Sequence, residues 1–260
     1  MTNILSRKAN SWLLMTAVIG LATTSGCDVI KAVAHQPTPA EQAEQRNQEF
    51  DTAMAGDTRY GPMLMKMKTT FPVDYQSLRS QIDAAIAAGA SGEQLGEIKS
   101  TFLHNFSLAH TADMAAAPSE NLKEVIEAQL VVISALRTSS EDECASFYNP
   151  NPKHRTHYDS VPPTAISRLA LSRINAMAAG RDRPTIRTPI NLHDRSIWIK
   201  EMEDEGLSQN QIAILGNPAK AAAASSHDMC AFGVVMMQSA TRLPEPTADK
   251  VIAAIIRTAA

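Results

Sequence analysis

After Ser91, Leu95, Ile98, Phe102, Phe106 and Ala109 recur at intervals of three and four residues, and the pattern runs on to Pro118. Beyond that proline, Leu122, Val125, Ile126, Gln129, Leu130, Ile133 and Leu136 fall on one broad face. Only an α-helix returns to the same face at this spacing, because a strand alternates every second residue. Two long helices joined across a short proline link are expected to lie antiparallel as a hairpin. The apolar stripes of such a hairpin need further helices to cover them. Composition points the same way: aromatic residues are only 5% of the 260, whereas methionine occurs 12 times and alanine is frequent, which favours close-packed helices over a sheet. The expected fold class is all-α, a multi-helix bundle around a central antiparallel hairpin.

The flanking sequence extends this reading. Thr38-Pro39-Ala40-Glu41 supplies a cap, a proline at the first helical position and a carboxylate at the third, so a helix is expected from Pro39 to Ala55 before Gly56. Met-rich Tyr60 to Lys68 is expected as a short helix or loop. Tyr75, Leu78, Ile82, Ala85 and Ile86 mark an amphipathic helix ended by Gly89. Later, Ile166, Leu169, Ile174 and Met177 make a helix that Gly180 should end, and Ile197 to Glu205 make one that Gly206 should end. Ser208 with Gln211 forms a capping box opening Ile212 to Leu215, and Ala219 to Ala224 is Ala-rich. Ser226 and Thr247 open the last two helices. Two irregular stretches interrupt the order, Tyr148 to Pro163 and Arg181 to Asn191, and a domain boundary would fall near 150–163.

The first residues carry an address. Arg7 and Lys8 precede an apolar stretch from Trp12 to Ala22, and the small residues Thr23 to Gly26 lead to Cys27, the order of a secretory signal. The apolar stretch is short for a membrane helix, which needs about 20 such residues. Thr24-Ser25-Gly26-Cys27 resembles the lipobox of bacterial lipoproteins, with Thr24 where an aliphatic residue is usual. The resemblance covers the N-terminal segment alone. It implies cleavage after residue 26, a diacylglyceryl group on the Cys27 thiol, and anchoring to a membrane of the bacterial cell envelope with the domain facing the periplasm. Residues 27–38, ending in Gln36-Pro37-Thr38, then read as a tether to a helical domain over 39–260.

Loss of the first 26 residues removes Arg7 and Lys8 and no acid, so the formal charge falls from −3 to −5. A mildly acidic domain has no electrostatic case for binding nucleic acid. With Cys27 assigned to the lipid, Cys144 and Cys230 form a pair in an oxidising compartment. Each stands behind serines in similar words, Ser139-Ser140-Glu141-Asp142-Glu143-Cys144 and Ser225-Ser226-His227-Asp228-Met229-Cys230. The expectation is one disulfide between two helix starts.

Signatures of chemistry are sparse. His104 and His110, six apart, lie on opposite sides of a helix, and His154-x-x-His157 lacks the glutamate of a zinc protease motif. Met63, Met65 and Met67 suit core filling better than copper capture. The dipeptides His193-Asp194 and His227-Asp228 resemble, over two residues each, the metal pair of HD-type phosphohydrolases; both fall at expected helix starts, where Asp is explained by the helix dipole. No nucleophile elbow, phosphate loop or C-x-x-C occurs, and no motif calls for a cofactor or a metal. No catalytic residue is assigned. The basic residues of the two irregular stretches, His154, Arg155, His157, Arg181, Arg183 and Arg187, are the candidate binding residues. The favoured function is a membrane-tethered protein-binding module, an assembly factor or an inhibitor of the immunity type. The competing one is a metal-dependent envelope hydrolase using His154 and His157 or the His-Asp pairs.

Overall fold

A computed structural model describes residues 38–148 and 158–258, and all regular structure among them is helical. The first half holds α1 (Pro39–Ala55), α2 (Gly61–Thr70), α3 (Pro72–Ala87), α4 (Gly92–Ala109), α5 (Thr111–Ala115), α6 (Ser119–Ser139) and α7 (Glu141–Tyr148). The second holds α8 (Pro163–Asp182), α9 (Leu192–Asp204), α10 (Gln209–Ile212), α11 (Pro218–Ala223), α12 (Ser226–Arg242) and α13 (Thr247–Thr258). The local signals act where the chain places them. Thr38 and Glu41 close a reciprocal capping box on α1, Ser91 and Gln94 do so on α4, and Ser208 and Gln211 on α10, which stops after one turn. Pro62 sits in the first turn of α2, where its missing N–H costs nothing, so the Met-rich stretch is a helix. Met63 and Met67 of that helix are buried in the core.

The segment after Ser91 is not one helix. It breaks at His110 into α4 and the single-turn α5, which turns the chain toward α8. On α4 only Phe106 is buried, and Leu95, Ile98 and Phe102 are half-covered, so its stripe packs at the edge of the molecule, against α3. The centre is α6, which buries Leu122, Val125, Ile126, Val132, Ile133 and Leu136, each contributing about 1.5–3 kcal/mol of burial. Its chief partner is α8. The two run antiparallel: Ser160, just ahead of α8, donates to Glu143 beyond the end of α6, while Thr185, just after α8, donates to Ala116 before its start. The antiparallel pair is thus present, with α8 in place of the Ser91 helix. Ala165, Ala170, Ser172, Ala176 and Ala178 are buried on α8, and residues this small let the axes approach closely.

Gly180 does not end α8, which continues to Asp182. It marks a close approach of two backbones: a Cβ there would stand 1.8 Å from the Asp113 carbonyl oxygen and 2.8 Å from the Ala117 nitrogen. The glycine is required by the neighbouring backbone, not by a turn. Gly206, by contrast, has φ 97° and does end a helix.

Cys144 near the start of α7 and Cys230 near the start of α12 form a disulfide, Cα–Cα 5.3 Å, and both are fully buried. Outside it, His227 Nδ1 lies 2.8 Å from Glu141 Oε1, a second contact between the same two helix starts. One core cluster takes in residues from Phe50 to Ile256, on both sides of 149–157.

Candidate functional site

Between α8 and α9 the chain runs from Arg183 to Asn191 without regular structure, yet both of its ends are fastened to the first turn of α13. At the near end Arg187 is turned inward, its side chain only 5% exposed. Nη2 donates to the Ala117 carbonyl at 2.8 Å, Nη1 to those of Ala115 and Thr185 at 3.4 and 3.5 Å, and Asp249 Oδ2 stands 3.7 Å away. Burial lowers the pKa of this guanidinium, and the Asp249 carboxylate opposes the effect. Thr185 N–H donates to Ala116 O at 2.7 Å.

At the far end Asn191 caps α9 in a reciprocal box with Asp194, whose buried carboxylate also accepts from Thr247 Oγ1 at 2.8 Å and Lys250 Nζ at 2.9 Å. The Lys250 hydrogen bond, then those from Asn191 N–H and Thr247, hold the Asp194 pKa down to about 2. The segment is therefore a strap tied at two points. What it presents to solvent is apolar: Ile186 is 98% exposed and Leu192 is 86% exposed. Ile190, between them, packs against the core. Val73, two residues past the Phe71 ring that carries Arg181, is exposed as well.

The basic residues expected here divide. Arg181 stacks 4.5 Å over the Phe71 ring, donates to Thr70 O at 2.9 Å and pairs with Asp182. Arg187 is consumed by the backbone, and Arg183 is exposed at the start of the strap. His154, Arg155 and His157 lie outside the described residues, as does Cys27. Ile186 and Leu192 escape a search that counts charges. Their signal in the sequence is two isolated aliphatic residues in a proline-rich stretch with no period that would bury them.

The His-Asp pairs do not assemble. Asp194 is committed to α13 as above, with His193 exposed beside it; Asp228 accepts from Ser225 Oγ at 2.7 Å and Gln211 Nε2 at 3.0 Å, hydrogen bonds that lower its pKa in that order. Both aspartates do the work of helix caps. His104 is exposed, and His110 lies between the Phe71 and Phe106 rings with Nδ1 2.9 Å from Asp113 and Nε2 3.6 Å from Asp74. Among the described residues no three His, Cys, Asp or Glu side chains are grouped so as to hold a metal ion. An open groove of about 380 Å³ beside α10 is lined by Ser208, Gln211, Ile214, Lys220 and Asp228, and its acid and amide are already paired with one another. No helix of the described residues is long and apolar enough to cross a membrane. No protein-family model, no curated protein and no solved structure matches the chain.

Proposed function

We propose that this is a lipid-tethered protein of the bacterial cell envelope, anchored through Cys27, whose helical domain binds another protein through the strap at 183–192. It acts in assembly of an envelope complex or as an inhibitor of the immunity type. One observation carries the reading: Ile186 and Leu192 stand almost wholly in water on a backbone that Arg187 and Asp194 hold still. Exposed aliphatic side chains lose their hydration cost when a partner covers them. A segment already ordered before contact gives up little conformational entropy on binding, so more of the burial appears as affinity. The exposed Arg183 and Arg195 flank these side chains and suit a partner with an acidic rim around an apolar pocket.

The test compares the domain from Asp28 onward with its Ile186→Asp, Leu192→Asp double variant, each passed over envelope extract of the source bacterium. A single stoichiometric protein retained by the first and lost by the second is the expected result, with equal melting temperatures showing that the fold is intact. Retention unchanged by the double substitution, or no stoichiometric partner at all, would overturn the assignment of the strap.

A further inference from the structure

Arg173 lies midway along α8, against the centre of α6, and among the described residues no carboxylate pairs with it. Among the described residues its enclosed Nε has no hydrogen-bond partner, and Nη2 reaches the Gln129 amide oxygen at the long distance of 3.5 Å. Gln129 is itself buried. Burial lowers the Arg173 pKa, and the phenols of Tyr158 and Tyr60 act against that. Burial raises the Tyr60 pKa, so that ring stays neutral and supplies a hydrogen-bond donor but no negative charge.

The carboxylates that stand beside Tyr60, Tyr158 and Gln129 in sequence have other partners. Asp57 holds Lys99 and two backbone N–H groups, Asp159 faces Arg59 at 3.6 Å, and Glu127 faces Arg168 at 3.5 Å. The stretch Asn149 to His157, which precedes Tyr158, contains no acidic residue. A buried charge lacking a counter-ion is strongly unfavourable, and a fold keeps one only where something offsets it.

We infer that Arg173, with Gln129 and Tyr60 beside it, is the receptor for a small monocarboxylate. One unmatched positive charge calls for one negative charge, and the planar guanidinium fork fits a carboxylate with two parallel N–H···O bonds. The Tyr60 phenol adds a donor that a carboxylate accepts. Gln129 Oε1 meets Nη2 only at 3.5 Å, so a carboxylate at that nitrogen replaces a weak contact.

The experiment uses the domain from Asp28 onward, titrated with sodium acetate, sodium phosphate or sodium chloride at constant ionic strength. The readouts are the ¹H–¹⁵N resonance of the Arg173 Nε–H, assigned with Arg173→Lys, and the thermal midpoint. Acetate should move the resonance saturably and raise the midpoint, at a concentration at least about tenfold below any effect of chloride, which corresponds to about 1.4 kcal/mol of preference. Arg173→Met should lose the acetate response and melt at or above the wild-type midpoint in chloride. No saturable shift with acetate would overturn the proposal, and saturation by phosphate below acetate would overturn the carboxylate class. Arg173→Met melting well below wild type would mark the guanidinium as structural and likewise overturn it.

Discussion

Reducing the Cys144–Cys230 bond removes a constraint from the unfolded chain while leaving the folded packing nearly as it was, because both sulfurs are buried and remain in place as thiols. The cysteines are 86 residues apart, and a closed loop of that length removes unfolded-state entropy worth about 4 to 5 kcal/mol at 25 °C. The loop contains α8 to α11, with α8 half of the central antiparallel pair, so the whole core feels the release. A domain of this size loses roughly 2 to 3 kcal/mol of stability per molar urea, so the midpoint should fall by about 2 M on reduction. The slope should rise, since an unlinked unfolded chain exposes more surface. The assay is urea unfolding of the domain from Asp28 onward, followed by helical circular dichroism with and without dithiothreitol, in the same buffer and at the same protein concentration. A fall of less than about 0.5 M would refute the reasoning. It would mean that the denatured chain between the cysteines is already restricted, so that closing the loop removes little entropy.

Gly180→Ala should destabilise by about 1 to 3 kcal/mol, since its Cβ would meet the fixed backbone of Asp113 and Ala117; an unchanged urea midpoint would contradict the close approach of α5 and α8. The Asp194 carboxyl titrates near 2 in the fold, below its ordinary 3.8, so its stabilising effect is complete above about pH 4 and is lost as the pH falls through 2. Unfolding midpoints between pH 5 and pH 2 should therefore drop more steeply for the wild type than for Asp194→Asn, and parallel curves would show that the Lys250 and Thr247 bonds do not favour the ionised form. Cells expressing the full chain in labelled palmitate should incorporate label that Cys27→Ser abolishes; equal labelling of the two would remove the lipid anchor.

What could be read from the sequence is what lies within a few residues. Thr38 with Glu41, Ser91 with Gln94 and Ser208 with Gln211 each hold their own partners, so the helix starts follow from local chemistry. The pairing of Cys144 with Cys230 was readable too, because with Cys27 assigned to the lipid no other cysteine remains. Local signals mislead where a distant segment decides. Gly180 carries the same local signal as Gly206, and only the backbone of α5 makes one a contact and the other a stop. The stripe from Leu95 to Phe106 is a good helix pattern, but periodicity does not say which of two neighbours α6 will take, and the small residues of α8 offered the closer fit.

The same distinction applies to the strap, whose arginines suggest a basic surface in the sequence. Arg181, Arg183 and Arg187 look equivalent in the chain, yet one lies on a ring, one faces water and one is sunk among three carbonyls. Sinking Arg187 and Asp194 carries a desolvation penalty that an apolar plug would avoid. What the charges add is direction. Arg187 must face Asp249 and the carbonyls of Ala115 and Ala117, and Asp194 must face Thr247 and Lys250, so the backbone between them has one register. With those two ends fixed on α13, Ile190 is held inward while Ile186 and Leu192 have nowhere to turn but out. An apolar plug at either end could slide or rotate and let the two aliphatic side chains fold back onto the core. Ile186 and Leu192, exposed on a backbone fixed by buried charge pairs, would bury their area against a partner at little entropic cost, and the proposed partner surface rests on that.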